Sequence, residues 1–425
     1  MRIILVNKFH YLKGGAETYY LTLGERLKAM GHEVAYFSMR HPDNLPCAQE
    51  SYFVTQREYN DLQNPLRAAR DGFALVYSIE ARRNFEALCE DFRPDIVHLN
   101  NVHRQITLSI LDAPYLSEHR VPVVYTAHDY VTVCPNYLML DGDGRICDEC
   151  LRDGRYRHCI ARRCVKGSRA KSALAALEAS FNRMHRSNDR IDVAIAPSMF
   201  MAGKLVEGGW PTVKVRYMQN FVSDDVFAHA EEDSADTTDW GSPYVLFFGR
   251  LSKEKGIGVL LDAFGRALPD LPEGAHLVIA GDGPERGALE NCAVGGGRVE
   301  FVGYKTGREL RDLVAGAVVA CCPSTWYENM PYSVVESLAE GTPVVGSRIG
   351  GIPEAVIEGR TGWLAEPGDA RSLASTLILA MVTARNHDKY TRLRQYCRDY
   401  VLSHCDQGRY AGNLINLYRE LIDDK

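Results

Sequence analysis

The sequence predicts an α/β protein of two domains, each a parallel β-sheet covered by helices on both faces. The chain has 425 residues, which is too long for one compact core. Its composition, 46% hydrophobic and 24% charged, is that of an ordinary globular protein. Short apolar runs alternate with amphipathic segments in two successive series, the pattern of parallel sheets buried on both sides.

The first series opens at the amino terminus. The apolar run there is much shorter than the core of a signal peptide, and no window approaches the roughly 18 apolar residues of a membrane-spanning helix. We therefore expect a cytoplasmic protein. One helix is predicted at 16–30, and strands are predicted at 2–6, 33–38, 95–101, 121–127 and 191–197.

The second series follows an acidic, turn-rich segment at 230–242 that reads as a connection or surface loop. Its strands are predicted at 244–248, 276–280, 299–302, 317–322 and 343–346, and residues 390–422 have a helical pattern. We expect an N-terminal domain at 1–220, a C-terminal domain at 221–395 and a helical segment at 396–425 that packs back on the N-terminal domain. Ligands of parallel sheets bind beyond the carboxyl ends of the strands, so two such domains facing each other form a cleft.

Two carboxylates near a predicted helix start are the first candidate site. Glu328 and Glu336 are separated by seven residues, and Pro331 stands where the helix should begin. Glu328 is then in a loop, Glu336 is on the helix, and the free N–H groups of Met330 and Tyr332 can bind an anion.

Three further motifs follow predicted strands: Gly-Gly-Ala-Glu at 14–17, Thr-Ala-His-Asp at 126–129, and Phe-Gly-Arg-Leu-Ser-Lys-Glu-Lys-Gly at 248–256. In this order, and together with the glutamate pair, they resemble the GT-B glycosyltransferases of family 4 over most of the chain. The resemblance implies two Rossmann-like domains facing across a cleft, and a retaining, metal-independent transfer from a UDP- or GDP-sugar. The implied catalytic residues are His128, Arg250, Lys255 and Glu328. The implied donor-binding residues are Gly14, Gly15, Gly281, Val302, Asn329, Met330, Pro331 and Glu336.

The resemblance also implies a role for each group. Arg250 and Lys255 bind the diphosphate, Glu336 binds the ribose, and Glu328 and His128 contact the donor sugar. One motif departs from the family, because Gln219-Asn-Phe-Val-Ser-Asp stands where many members have Asn-Gly-Val-Asp. The missing glycine puts the conformation of the local turn in question, but not the resemblance to the glycosyltransferase family.

The chemistry of the reaction agrees with these roles. Breaking a sugar–phosphate bond leaves a diphosphate with growing negative charge, so stabilising that leaving group is the main task. Arg250 offers a planar fork, Lys255 a point charge, and the amides of Gly14 and Gly15 can approach closely because no Cβ intervenes. These groups would do the work of Mg²⁺, and no further cofactor is expected.

Two other motifs imitate ligand sites. The glycines of 281–287 resemble a dinucleotide fingerprint, but the last interval is one residue too long and Pro284 removes an amide. Asp141-Gly-Asp143-Gly resembles a metal motif, yet Asp-Gly between two apolar runs favours a hairpin turn.

A cysteine-rich insertion at 134–164 holds five thiols: Cys134, Cys147, Cys150, Cys159 and Cys164. Two interpretations of these cysteines stay open, a structural zinc site and free thiols, since the spacings fit no standard zinc module. The other seven cysteines are scattered and indicate small core side chains.

Residues 152–190 carry 11 basic and 3 acidic side chains on a chain with a net charge of −6. A helix there has an apolar face of Ala170, Ala173, Leu174, Leu177, Phe181 and Met184. One reading is a core-packing helix with a solvated basic face. The other is a basic surface that docks on anionic lipid at the inner face of the membrane. Nucleic acid is not expected, because no binding module accompanies the charge.

The sequence therefore predicts a glycosyltransferase acting on a saccharide or lipid-linked acceptor, in assembly of a surface polysaccharide or glycolipid. Two alternatives stay open, a nucleotide-sugar epimerase of the same architecture and a non-catalytic nucleotide-sugar-binding protein.

Overall fold

A computed structural model describes residues 1–56, 72, 74–224, 226, 242–293 and 297–425. The chain forms two compact units. Unit 1 consists of residues 1–218 and 408–425, and unit 2 of residues 219–407. Most of the predicted connection, 230–241, lies outside the described residues.

Unit 1 is built on a parallel sheet of six strands in the order β2-β1-β3-β4-β5-β6. Its strands are β1 (Arg2–Val6), β2 (Glu33–Phe37), β3 (Ile96–Leu99), β4 (Val123–Thr126), β5 (Val193–Ala196) and β6 (Val215–Tyr217). The five strands expected from the sequence are confirmed, and the short edge strand β6 is additional.

The helices of unit 1 connect these strands. Those whose bounds lie within the described residues are α1 (Gly15–Ala29), α2 (Ile79–Phe92), α3 (Pro114–Glu118), α4 (Glu149–Asp153), α5 (Arg157–Ala161), α6 (Arg169–Met184) and α7 (Met199–Glu207). The predicted hairpin turn at 141–144 is confirmed, since Leu140 and Ile146 form an antiparallel bridge across it.

The last helix, α15 (Gln407–Asp423), returns to unit 1 and is fixed there by buried hydroxyl groups. The Tyr418 hydroxyl lies 2.5 Å from His98 Nδ1, and the Tyr410 hydroxyl lies 2.6 Å from the Tyr19 hydroxyl. All four side chains are buried, so each polar atom depends on its partner in place of water.

Unit 2 has a second parallel sheet in the order β12-β11-β10-β7-β8-β9. Successive residues of its central strand point to different cores: Val245 and Phe247 to one, Leu246 and Phe248 to the other. The strand is therefore apolar throughout, because both faces are covered. The strands are β7 (Tyr244–Phe248), β8 (His276–Ala280), β9 (Val299–Gly303), β10 (Val319–Cys322), β11 (Val344–Ser347) and β12 (Gly362–Ala365).

The helices of unit 2 pack on both faces of this sheet. In the part of unit 2 that the structure describes, the helices with both ends defined are α8 (Ile257–Ala267), α9 (Arg286–Cys292), α10 (Gly307–Ala315), α11 (Tyr332–Ala339), α12 (Ile352–Ala355), α13 (Ala370–Ala384) and α14 (His387–His404). The predicted carboxyl-terminal helical pattern is confirmed as α14 and α15.

Each sheet has one position where the strand order reverses. In unit 1 it lies between β1 and β3, and in unit 2 between β7 and β10. Loops that leave such a pair of parallel strands diverge to opposite faces and leave a crevice at the carboxyl edge. These two crevices are where each unit should present its functional side chains.

Helix α6 does not pack as a core helix. Its buried residues are Ser172, Ala175, Ala176 and Glu178, whereas Leu177 is 57% and Met184 is 79% exposed. The reading of the predicted apolar face as core is therefore wrong, because the small side chains of the opposite face make the close approach to the fold. No helix of the described residues is long and apolar enough to cross a bilayer.

Candidate active site

The reversal point of unit 2 brings two of the predicted residues into contact. Lys255 follows β7, and Glu328 follows β10, the adjacent strand. Lys255 Nζ donates to Glu328 Oε1 at 2.6 Å. The two residues are 73 positions apart in sequence, so the pairing of these strands is what creates the pair.

Glu328 is held by more than the lysine. Its Oε1 also accepts from Ser324 Oγ at 2.6 Å and from Trp326 Nε1 at 2.9 Å. The side chain is buried, with 4% of the residue exposed. Three donors on one oxygen fix the carboxylate and direct its other oxygen, Oε2, away from that cluster.

The same contacts affect the pKa of Lys255. Burial by itself lowers the pKa of a lysine, but the Glu328 carboxylate, with smaller contributions from Cys322 and Glu254, leaves the pKa of Lys255 above its ordinary value. The ammonium group also lies 5.4 Å from the centre of the Trp326 ring. Lys255 is therefore a fixed cation at neutral pH, and Arg250, on the same loop, is exposed.

Glycines allow the loop around Lys255 and Arg250 to lie close to its neighbours. Gly256 has a φ of +71°, and a Cβ there would lie 2.0 Å from the Pro323 carbonyl oxygen. Gly281 has a φ of +148°, and its Cβ would lie 1.9 Å from the Gly249 carbonyl oxygen. Both positions require glycine, and the second places the predicted loop of Gly281 directly against the residue before Arg250.

The helix predicted to begin at Pro331 does so, since Pro331 is the residue before α11. No side chain caps this helix, and the Val334 N–H donates to the Pro331 carbonyl at 3.0 Å. Asn329 and Met330 are buried just before it, and the Met330 carbonyl accepts from Asn220 Nδ2 at 3.1 Å. Glu328 lies in the loop and Glu336 on the helix, as predicted.

Glu336 is half-buried on α11. Burial raises its pKa to about 7, Glu340 adds to the rise, and Arg311 opposes it. Of the other predicted loop residues, Val302 lies in β9, half-buried against the core that contains α11 residues.

Unit 1 presents Gly14 and Gly15 at the start of α1, where both are exposed. Gly14 has a φ of −175°, which any residue can adopt, and a Cβ there would make only ordinary contact with Glu17. The fold itself therefore does not require glycine at position 14. Glu17 is buried in the first turn and accepts from Asn7 Nδ2 at 3.2 Å.

His128 follows β4, and its ring is fixed from β3. Asn100 Nδ2 donates to the Val6 carbonyl at 3.3 Å, which orients Asn100 Oδ1 as an acceptor 2.9 Å from His128 Nε2. Nε2 therefore carries the proton. Burial lowers the pKa of His128 to about 3, so the ring is neutral and Nδ1 is an acceptor.

Comparison with known proteins agrees with the geometry of both units. Residues 13–226, half of the chain, match the family model described as Glycosyltransferase Family 4. The chain belongs to glycosyltransferase family 4. Residues 242–381 match a second model, Glycosyl transferases group 1. The protein is therefore a transferase.

Two curated relatives show how far the likeness of this glycosyltransferase extends. An uncharacterized 42.6 kDa protein in the cps region of Klebsiella pneumoniae is 24% identical over 83% of this chain and 87% of its own length. The lipopolysaccharide core biosynthesis glycosyltransferase LpsE of Rhizobium meliloti is 30% identical over 49% of this chain and 62% of its own. Several further relatives share only about a third of their length with this chain.

Among solved structures, Anabaena HepE in complex with UDP superimposes with a TM-score of 0.63. The two chains are 17% identical, and the match covers 99% of this glycosyltransferase and all of HepE. At that identity the likeness shows the fold alone. With two parallel six-stranded sheets, the enzyme has the GT-B fold predicted from its sequence.

The cysteine-rich insertion of this glycosyltransferase forms a small core. Cys150, Cys159 and Cys164 pack there with Val165 and Ala175. The described residues contain no group of three or more His, Cys, Asp or Glu side chains placed to hold a metal ion. Burial raises the pKa of Cys150 to about 12, so the protein alone does not favour the thiolate that ligates zinc. The zinc site, with Cys134 and Cys147 as further ligands, stays a prediction.

Sequence reasoning missed the residues that hold the predicted ones. Ser324 and Trp326 fix Glu328, and Asn100 fixes His128. Each lies within a few residues of the carboxyl end of a strand that borders a reversal point. Polar side chains at those strand ends are the signal that would have found them.

Proposed function

We propose that this glycosyltransferase moves a sugar from a UDP- or GDP-sugar to a saccharide or lipid-linked acceptor, with retention of anomeric configuration. The observation that carries the proposal is the Lys255–Glu328 pair at the reversal point of unit 2, beside the exposed Arg250. HepE, solved with UDP, supports the donor class, and LpsE supports a role in surface polysaccharide or glycolipid assembly.

The diphosphate is the group that needs most stabilisation. Lys255 is a fixed cation, Arg250 on the same loop provides a guanidinium fork, and the amino end of α11 has no side-chain cap. Together they offset the charge that grows on the leaving group as the sugar–phosphate bond breaks. Because these protein groups carry that task, EDTA should leave turnover unchanged.

Glu328 is suited to recognition of the donor sugar. Its Oε1 is occupied by Lys255, Ser324 and Trp326, so Oε2 is the oxygen that accepts from a sugar hydroxyl. We assign Glu328 to positioning of the sugar and not to proton transfer.

His128 is assigned a similar role. A histidine with a pKa of about 3 is neutral throughout the physiological range and is too weak a base to remove a proton from a hydroxyl efficiently. Its Nδ1 accepts a hydrogen bond from a sugar hydroxyl while Asn100 holds Nε2.

Donor affinity should depend on pH through Glu336. Its pKa is about 7 in the free enzyme, and only the carboxylate can accept hydrogen bonds from both ribose hydroxyls. As pH falls through 7 the carboxylate is protonated and binding weakens, by roughly tenfold between pH 8 and pH 6. Calorimetric titration with an intact nucleotide-sugar measures this, since its diphosphate diester does not titrate in that range.

The matched control is Glu336→Gln, which presents a neutral acceptor at every pH. Its donor affinity should be independent of pH between 6 and 8. A wild-type enzyme that shows the same flat profile would remove Glu336 from ribose recognition, while a variant that keeps the slope would place the titrating group elsewhere.

A donor screen tests the proposed function directly. Purified enzyme is heated with UDP-, GDP- and ADP-sugars, and the correct donor at about 100 times its Kd should stabilise the fold by about 2.7 kcal/mol. Release of the nucleoside diphosphate is then measured with and without a saccharide acceptor, and the anomer of the product is read by NMR.

The outcomes separate the alternatives. Release that rises with acceptor, with a product of the donor's anomeric configuration, is the expected result. Conversion of the nucleotide-sugar to its epimer without acceptor favours an epimerase, and stabilisation without any turnover favours a non-catalytic binding protein. An inverted product leaves the transferase in place and overturns retention.

A further inference from the structure

A pocket of about 600 Å³ lies in unit 1 between the α4–α5 connection and the exposed side of α6. Three of its lining residues are arginines, and none is acidic. It is lined by Gly154, Arg155, Tyr156, Arg157, Ser180, Arg183 and Met184. The pocket belongs to the cysteine-rich region and contains none of the donor-site residues described above.

One of the three arginines in the pocket wall is held in place by a hydrogen bond within the protein. Arg183 Nη1 donates to the Gly154 carbonyl at 2.7 Å, which holds one guanidinium against the α4–α5 connection. Arg155 and Arg157 are exposed at the rim. The nearby acid Asp153 is engaged with His158, whose Nε2 lies 2.8 Å from its carboxylate. The arginines are therefore available to an external anion.

An exposed apolar stripe runs along α6 from the same pocket. Met184 lines it and is 79% exposed, and Leu177, two helical turns earlier on α6, is 57% exposed. Ala170 and Ala173 are exposed on that side of the helix as well. A water-facing helix normally buries its large apolar residues, so an exposed apolar stripe beside a cationic pocket indicates a surface that is covered in use.

We propose that this surface, the three arginines with Leu177 and Met184, docks on a bilayer of anionic phospholipid. Guanidinium groups bind a headgroup phosphate through paired N–H donors, while Leu177 and Met184 enter the boundary between headgroups and acyl chains. The charge of the region, 11 basic and 3 acidic side chains over 152–190, complements an anionic leaflet. A soluble phosphate or a nucleic acid would leave the apolar stripe in water.

Vesicle co-sedimentation of the full-length chain tests the proposal. Vesicles of phosphatidylcholine with phosphatidylglycerol are compared with vesicles of phosphatidylcholine alone, and we expect at least tenfold stronger binding to the anionic set. Arg155→Ala/Arg157→Ala and Leu177→Ser/Met184→Ser should each reduce that binding about tenfold or more.

Matched controls come from exposed residues of unit 1 outside the pocket. Arg40→Ala/Arg216→Ala removes two exposed arginines, and Met199→Ser/Val213→Ser removes apolar side chains that are 59% and 77% exposed. Both controls should bind vesicles within about twofold of wild type, because neither touches the pocket.

Several outcomes would overturn the docking surface. They are equal binding to both vesicle types, binding to neither, unchanged binding of the arginine variant, or binding of inorganic phosphate without binding of vesicles. The proposal deepens the lipid-linked acceptor of the proposed function, but vesicle binding is read without turnover. Stabilisation of each variant by the nucleotide-sugar is measured in parallel, so loss of one property is distinguished from loss of the other.

Discussion

Lys255→Ala should lower kcat/KM about a thousandfold, with circular dichroism and melting temperature close to those of wild type. Among the residues that the structure describes, the ammonium group of Lys255 is the one cation paired with Glu328, and it lies in the crevice between β7 and β10. Its removal takes away the charge that we propose stabilises the leaving diphosphate, and a donor that positions Glu328. A loss of that size corresponds to about 4 kcal/mol of transition-state stabilisation.

The control is Lys253→Ala, which removes an exposed lysine two residues earlier on the same loop. It should keep kcat/KM within about threefold of wild type, since a rim charge contributes little. Lys255→Ala/Glu328→Gln should be far less damaging than the product of the two single effects, because the residues act as a unit. Additive losses, or a Lys255→Ala enzyme with near wild-type kcat/KM, would contradict the assigned pair.

Gly256→Ala should destabilise unit 2 by about 3 kcal/mol and weaken donor binding with it. The position has a φ of +71°, and the added Cβ would lie 2.0 Å from the Pro323 carbonyl oxygen. That carbonyl belongs to main chain leading from β10 to Glu328, so the clash also displaces one side of the crevice. The expected fall in melting temperature is about 5–10 °C by calorimetry.

Gly258→Ala is the matched control. This glycine lies inside α8, has no positive φ, and a Cβ there would meet nothing within 4 Å. Alanine is the better helix former, so stability should be unchanged or slightly higher. If the two variants had the same melting temperature, the close approach of Gly256 to Pro323 would not determine the conformation of the loop.

The central strands could be predicted from sequence because their burial on both faces leaves continuous apolar runs. The run at 244–248 coincides with β7, and the run at 276–280 coincides with β8. Edge strands carry a weaker signal. Strand β6 has three residues and none of them is buried, while β12 begins at Gly362 and has four. Neither is long enough to show a pattern of its own.

The sequence predicts which residues belong to the site, but it does not predict which of them contact each other. Motif order places Lys255 and Glu328 after their strands, but their ion pair exists because Val319 pairs with Val245 across β10 and β7. The pKa of Glu336 depends on burial that its helical position does not reveal. Helix α6 likewise buries the face opposite to the predicted apolar one, because that face fits the neighbouring chain. Periodicity identifies an apolar face of a helix, but it does not show whether that face points into the protein or into solvent.

Because of helix α15, the two units differ in whether each is formed by one continuous stretch of the chain. Residues 219–407 are one continuous stretch, whereas the other unit is assembled from both ends of the chain. A fragment cut at 218 would expose the hydroxyl of Tyr19 and Nδ1 of His98, which Tyr410 and Tyr418 satisfy in the intact protein. Topologically unit 2 is an insertion into unit 1, so unit 1 completes its fold only after residues 408–425 have left the ribosome.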